Sequence, residues 1–112
     1  MERGAVWLAE PPGPNATGPV DRRPYVIVSS NAFNHSTIRT VIAVVLTSNL
    51  RLADAPGNVS IAAADAGLPK DAVANVAQVV TVEKRFLVKR CGRLSPRTMK
   101  ALDNGLRLVL GL

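Results

Sequence analysis

With 112 residues, of which 47% are hydrophobic and 20% charged, the chain is long enough for one domain with a core and too apolar to be intrinsically disordered. A single cysteine excludes a disulfide framework and a cysteine-rich zinc site, and it favours the reducing cytoplasm. The formal charge of +6, with basic residues concentrated from Lys84 onward, favours a polyanionic partner, either nucleic acid or an acidic protein.

No segment of the sequence has the pattern of a targeting or membrane-spanning element. The N-terminus lacks a basic stretch followed by an apolar one. The longest strictly aliphatic run, over residues 41–46, is far too short to cross a bilayer. We therefore expect a soluble cytoplasmic protein, with residues 1–112 forming one domain and no membrane partner.

The N-terminal part of the chain predicts two strands separated by a long loop. Residues 4–10 (GAVWLAE) form the first strand, with Trp7 available for packing, and the β-branched residues 22–30 (RRPYVIVSS) form a buried one. Between them, residues 11–19 contain four prolines and two glycines, which break regular structure. Loops of this length in small domains are commonly functional or mobile.

The middle of the chain predicts the centre of a β-sheet. Residues 31–36 are polar and indicate a turn with at most one helical turn, whereas residues 40–48 (TVIAVVLTS) are apolar on both faces and indicate a central strand. Residues 49–57 end in Pro56-Gly57 and predict a second loop. Further strands are predicted by three more segments, 58–62, 72–82 and 87–94, the first two separated by Gly67-Leu68-Pro69.

The last predicted element is a helix. Ser95 is a suitable N-cap, Pro96 fits the first helical position and Gly111 fits the end. Asp103 and Arg107 have the spacing of an ion pair on the outer face. Apolar residues recur every three or four positions and form one stripe: Met99, Leu102, Leu106 and Val109. Short strands, turns and one terminal helix together predict a mainly β fold, a small antiparallel barrel with a C-terminal helix.

The titratable residues exclude several mechanisms. His35 is the only histidine, so a two-histidine acid–base mechanism within one chain is excluded, and its polar surroundings predict a surface position. The acids are scattered without a metal-ligand spacing, and no glycine-rich phosphate loop is present. Cys91, within an apparent strand, is predicted to be a packed thiol. Neither a metal nor a cofactor is therefore predicted.

Several stretches of the sequence form a specific combination. Residues 3–7 (RGAVW) have the pattern of an opening strand, and residues 22–29 (RRPYVIVS) that of an arginine–proline strand. Residues 46–49 (LTSN) end the central strand, and residues 71–82 (DAVANVAQVVTV) lead into 92–95 (GRLS) and the final helix. Each stretch alone is a weak signal, but together, in this order and at these separations along nearly the whole chain, they resemble the MazF/PemK family of toxin ribonucleases.

The resemblance implies an SH3-like barrel that works as a homodimer. It also implies cleavage of single-stranded RNA at short sequence motifs without a metal ion. Attack by the ribose 2′-OH would leave a 2′,3′-cyclic phosphate and a 5′-hydroxyl. The implied partner is a cognate MazE-like antitoxin, whose acidic, flexible C-terminal tail occupies the RNA-binding groove.

The resemblance places the catalytic pair on Arg23, just before the strand proline, and on Thr47, at the end of the central strand. A guanidinium is permanently charged and can donate two parallel hydrogen bonds to a scissile phosphate while negative charge builds on it. The Thr47 hydroxyl can hydrogen-bond the same phosphate. Both residues are therefore expected at the catalytic site.

RNA contacts are expected from residues near the positions that the family uses for this purpose, because amides and hydroxyls suit base edges. Many family members carry a glutamate in the first loop where this chain has Gly18, and the nearest acid is Asp21. The candidate RNA-binding residues are Asp21, Ser48, Asn75 and Gln78.

Two alternative functions stay open at this point. A toxin of the same fold, similar to CcdB, would bind DNA gyrase without cutting anything, but binding a protein does not require an arginine–threonine phosphate clamp. A non-catalytic RNA-binding module on an SH3-like barrel is disfavoured by the aromatic content of 4%, since single-strand binders usually stack bases on aromatic rings.

Overall fold

The computed structural model describes residues 1–10 and 22–112, so the predicted loop over residues 11–19, Gly18 within it and Asp21 lie outside the described residues. The strands are β1 (Ala5–Ala9), β2 (Arg23–Ile27), β3 (Thr40–Thr47), β4 (Val59–Ile61), β5 (Ala72–Glu83) and β6 (Leu87–Arg93). The helices are α1 (Asn31–Asn34), α2 (Ala63–Ala66) and α3 (Pro96–Leu110), with 3₁₀ turns at Leu50–Asp54 and Lys84–Phe86.

Within the described residues, the six strands form one sheet in the order β4-β5-β3-β2-β1-β6, and every neighbouring pair is antiparallel. The sheet curls into a half-barrel, and α3 follows it at the C-terminus. The predicted fold class is confirmed. In the described part of the chain, no helix is both long and apolar enough to cross a membrane.

The strand β3 lies inside the sheet because its two faces both have apolar cover. Val44 and Leu46 belong to the larger core cluster, whereas Val41 belongs to a smaller cluster with Ile27 and Leu87. Alternate side chains of a strand point to opposite faces, so an apolar run of this kind requires cover on both sides. This is the physical basis of the predicted central strand.

The helix α3 covers the larger cluster with the predicted stripe. Leu102 and Leu106 are buried and Met99 packs against the cluster, while Val109 is 42% exposed. Ser95 caps the helix, since its side-chain oxygen accepts from the backbone N–H of Thr98. The stripe therefore packs on the core from Met99 to Leu106 and becomes exposed at Val109, towards the C-terminus.

The predicted ion pair between Asp103 and Arg107 is wrong. Asp103 accepts from both terminal nitrogens of Arg3, whose Nε also donates to the carbonyl of Val28. Arg107 instead donates to Asn104. A guanidinium held between a carboxylate and a carbonyl makes a fork-shaped, charge-assisted contact, which is stronger than a solvated pair on one helix.

Two short helical elements in the middle of the chain were not predicted, whereas the predicted surroundings of His35 and Cys91 agree with the structure. Residues 49–57 contain a 3₁₀ turn, and α2 follows β4 where no helix was predicted; elements this short leave no periodic signal in the sequence. His35 is at the surface, as predicted, with Nε2 3.1 Å from Oε1 of Glu2. Cys91 is half-buried against the larger core cluster, as expected for a packed thiol.

The two edges of the sheet are linked by a close backbone contact at Gly67. This residue ends α2 with a left-handed φ of +70°, and a Cβ at this position would lie 2.1 Å from the carbonyl oxygen of Cys91 in β6. Asp65 ties α2 to α3, since its carboxylate accepts from the Ser95 N–H at 3.0 Å and the Thr98 hydroxyl at 2.6 Å. The segment that follows β4 is thereby held against β6.

Gly67→Ala should destabilise the protein more than Gly111→Ala. Both glycines are left-handed at a helix end, but among the described residues nothing beyond its own chain neighbours lies within 4 Å of a Cβ at Gly111. Each alanine is expected to cost about 1–2 kcal/mol in backbone strain. The collision with β6 should add about 1–3 kcal/mol at Gly67 alone. Urea unfolding followed by Trp7 fluorescence measures both, and equal losses would contradict the close contact.

Candidate active-site cleft

A cleft of about 670 Å³ opens where β2 begins and β3 ends. One wall is formed by the start of β2 and the end of β3, and the opposite wall by residues 67–72. Lys89 and Cys91 line it from β6. The contact of Gly67 with β6 therefore positions one wall of the cleft.

Arg23 and Thr47, the two residues predicted as the catalytic pair, both line this cleft. The strands β2 and β3 are antiparallel with Tyr25 opposite Val45, and the same register continued along the two strands places Arg23 opposite Thr47. Side chains directly opposite in an antiparallel pair have Cβ atoms about 5 Å apart. A single phosphate group can contact both side chains at that separation.

Local structure orients Thr47. Its Oγ1 accepts from the backbone N–H of Asn49 at 3.1 Å, and the side chain is half-buried. A hydroxyl that accepts one hydrogen bond keeps its own hydrogen for donation. Arg23, at the first position of β2, is exposed, so its guanidinium is accessible to a ligand in the cleft.

Gln78 reaches the cleft because β5 contains a bulge. The register between β3 and β5 changes from Val44 opposite Val79 to Val45 opposite Asn75, which leaves residues 76–78 without partners in β3. Extra residues of this kind bend a strand and re-aim its side chains. Gln78 therefore lines the cleft together with Ser48.

Asn75 does not line the cleft but contacts a residue that does. Its Nδ2 donates to Oε1 of Gln78 at 3.0 Å. The structure thus brings together the two predicted catalytic residues and, around them, Ser48, Gln78 and Asn75. The other predicted contact, Asp21, lies outside the described residues.

Three further cations line the cleft, and none of them was among the predicted site residues: Arg22, Lys70 and Lys89. Arg22 makes an exposed ion pair with Glu10, its Nε 2.7 Å from Oε1. Asp71 is also at the cleft, where its Oδ1 accepts from the backbone N–H of Ala63. Cations gathered in one concave surface attract a polyanion more strongly than the same charges spread out.

The basic residues in the C-terminal third of the chain do not all line the cleft. Lys89 lines the cleft, whereas the Lys84 ammonium donates to the carbonyls of Asn34 and Ser36 at 2.6 and 3.3 Å. Arg85 pairs with Glu83. Lys89 reaches the cleft because β6 pairs with β1, where its register partner Leu8 also lines the cleft; nothing in the sequence indicates this pairing.

Among residues 1–10 and 22–112, no group of three or more histidine, cysteine, aspartate or glutamate side chains could hold a metal ion.

Known proteins to which this chain is similar belong to one family. The family model described as "PemK-like, MazF-like toxin of type II toxin-antitoxin system" matches residues 2–110. "Endoribonuclease MazF6" of Mycobacterium tuberculosis is 40% identical over 112 residues, which is 100% of this chain and 98% of that protein. "Endoribonuclease MazF" of Staphylococcus saprophyticus is 31% identical over 100% of this chain and 92% of its own length.

The comparison with solved structures agrees with the sequence relatives. A mycobacterial endoribonuclease solved in complex with its cognate antitoxin superposes with a TM-score of 0.80 at 29% identity, covering 100% of this chain and 96% of that one. The family match spans both strands that present Arg23 and Thr47, and it confirms the resemblance of the strand motifs. The chain belongs to the PemK-like and MazF-like family of toxins of type II toxin–antitoxin systems.

Proposed function

We propose that this chain is an endoribonuclease that cleaves single-stranded RNA at short sequence motifs, without a metal ion. The observation that carries the proposal is that Arg23 and Thr47 line one cleft together with further cations. The names of the relatives that match the chain over its full length support this class of activity.

In the proposed reaction the ribose 2′-oxygen attacks the adjacent phosphorus, and the bond from phosphorus to the 5′-oxygen breaks. The 2′-OH loses its proton, the departing oxygen gains one, and the products are a 2′,3′-cyclic phosphate and a 5′-hydroxyl. The Arg23 guanidinium donates two parallel hydrogen bonds to the non-bridging oxygens, where negative charge builds. The Thr47 hydroxyl donates to the same phosphate, held in place by the N–H of Asn49.

Single-stranded RNA fits the cleft better than duplex, because its unpaired bases can enter and present their edges to side chains. The cations Arg22, Lys70 and Lys89 would follow the backbone phosphates on either side of the cut. Ser48 and Gln78 are the proposed base contacts, and Asn75, which the sequence predicted as a third, acts through its hydrogen bond to Gln78. Asp21, outside the described residues, stays a prediction from sequence.

Cleavage of a mixed RNA should persist in excess EDTA, because the guanidinium and the hydroxyl provide the proposed charge stabilisation. Mapping the fragment ends should give 2′,3′-cyclic phosphates and 5′-hydroxyls. Loss of cleavage in EDTA with recovery in magnesium would overturn the proposed mechanism. RNA binding without any cleavage would instead indicate a non-catalytic RNA-binding module.

Arg23→Ala should lower the single-turnover cleavage rate at least about 100-fold, as when one preorganised transition-state donor is removed. Arg23→Lys should recover only part of the rate, since an ammonium keeps the charge but not the fork of two donors. Arg51→Ala, at an exposed arginine that does not line the cleft, is the matched control for charge and folding. A folded Arg23→Ala protein with the wild-type rate would remove Arg23 from the site.

We also propose that a cognate antitoxin with an acidic, flexible tail occupies the same cleft as RNA. The cleft cations would attract carboxylates as they attract phosphates. The mycobacterial structural neighbour was solved in complex with its cognate antitoxin, which is consistent with this type of partner.

A flexible peptide rich in aspartate and glutamate, like such a tail, should displace labelled RNA, and its affinity should fall as salt rises. At physiological ionic strength the Debye length is about 8 Å, so exposed charge pairs are already partly screened. A competition titration at low and high salt measures both effects, with Arg23→Ala binding the peptide more weakly than Arg51→Ala. Inhibition of cleavage without displacement of RNA would place the antitoxin elsewhere.

The proposed working form is a homodimer that uses barrel strands and the terminal helix. The end of α3 presents exposed apolar side chains, with Leu108 66%, Leu110 54% and Leu112 85% exposed. A chain of this length buries a modest fraction of its surface alone, so covering these groups would stabilise it.

A further inference from the structure

Three side-chain amides form a hydrogen-bonded series that ends in the cleft. Asn58, just before β4, donates through Nδ2 to Oδ1 of Asn75 at 3.3 Å. Asn75 donates through its own Nδ2 to Oε1 of Gln78 at 3.0 Å. Asn58 and Asn75 are half-buried, and Gln78 is exposed where it lines the cleft.

The backbone fixes which way the first amide points. Oδ1 of Asn58 accepts from the N–H of Val76 at 3.0 Å, and its Nδ2 donates to the carbonyl of Leu52 at 2.8 Å. Reversing this amide would set two donors against each other and two acceptors against each other. The N–H of Val76 belongs to the bulge of β5, so Asn58 also satisfies a donor that β3 does not pair.

The orientation of the Asn58 amide fixes the orientation of Asn75 and, through it, that of Gln78. Because Asn58 presents a donor, the atom of Asn75 that meets it must be its oxygen, which leaves the Asn75 nitrogen to meet Gln78. Oε1 of Gln78 therefore faces Asn75, and one of its two lone pairs accepts this hydrogen bond. Its Nε2 makes no hydrogen bond with any residue in the described part of the chain, and its two N–H groups remain available in the cleft.

We propose that Gln78 is a specificity-determining residue that donates from Nε2 to the keto oxygen of an RNA base, and that Asn58 and Asn75 are positioning residues. Uracil and guanine carry a keto oxygen where cytosine and adenine carry an amino group. A donor facing an amino group leaves both groups without a partner, which costs about tenfold in rate or affinity per lost hydrogen bond. The cleaved motif then prefers U or G over C or A at one position. This inference rests on the proposed RNA cleavage.

Asn75→Asp should invert the preference. One carboxylate oxygen of the new side chain accepts from Asn58, and the other can only accept, so it takes the Nε2 of Gln78. Gln78 then turns its oxygen to the cleft and accepts from an amino group. With a random-sequence RNA library and sequenced cut ends, the favoured bases at that position should move about tenfold from U or G towards C or A.

Gln78→Glu places an acceptor in the cleft by a second route, without changing Asn75, and should shift the preference in the same direction. Gln78→Ala should cut with little preference at that position. Thr81→Glu adds the same charge at an exposed site on β5 that does not line the cleft, and it should leave the preference unchanged. The double variant Asn75→Asp with Gln78→Ala should resemble Gln78→Ala alone.

An unchanged base distribution in both Asn75→Asp and Gln78→Glu would overturn the inference, as would a shift that persists in the double variant. Should Asn75→Asp fail to fold by circular dichroism, Gln78→Glu, at an exposed position, decides alone. Absence of any cleavage by the wild-type protein would overturn the proposed function instead. Wild-type cleavage with unmoved preferences in the variants overturns this inference only.

Discussion

The antiparallel pairing of β3 with β2 on one side and β5 on the other holds both the core and the cleft in place. The β2 register brings the start of one strand towards the end of the other, which is why Arg23 and Thr47 line one cleft although 24 positions of sequence separate them. A slip of one residue would turn one of the two side chains to the opposite face. The apolar run of β3, covered on both faces, makes such a slip costly, so the core packing protects the geometry of the site.

The pairing of β3 with β5 is interrupted, and the interruption shapes the cleft. Three residues of β5 leave the ladder, and one of the freed backbone donors, the N–H of Val76, is taken by Asn58. A buried donor without a partner is costly, so this hydrogen bond stabilises the bulge. The same amide starts the series that ends at Gln78. Asn58 therefore has two roles: it satisfies a backbone donor of the bulge, and it orients Gln78 in the cleft through Asn75.

The electrostatics of the molecule depend on which cations are bound within the fold. Arg3 and Lys84 bind carboxylate or carbonyl oxygens that hold the N-terminal segment and α1 in place. Lys89 and Arg23 line the cleft. A polyanion can therefore reach fewer of the cations than the net charge of +6 indicates. The cations that it can reach are gathered at the cleft.

Elements with local signals can be predicted from the amino-acid sequence. The helix α3 is predicted by its caps at Ser95 and Gly111 and by its apolar stripe, and β3 by its two-sided apolar run. The strand motifs indicate the family, and the resemblance predicts Arg23 and Thr47 as the catalytic pair. The folded chain is needed to find the partner of Asp103, the direction of Gln78 and the separate contacts of Lys84 and Lys89. These depend on the register between distant segments and on a bulge. Neither the alternation of apolar residues nor a spacing of four positions encodes which strand lies alongside or where its ladder breaks.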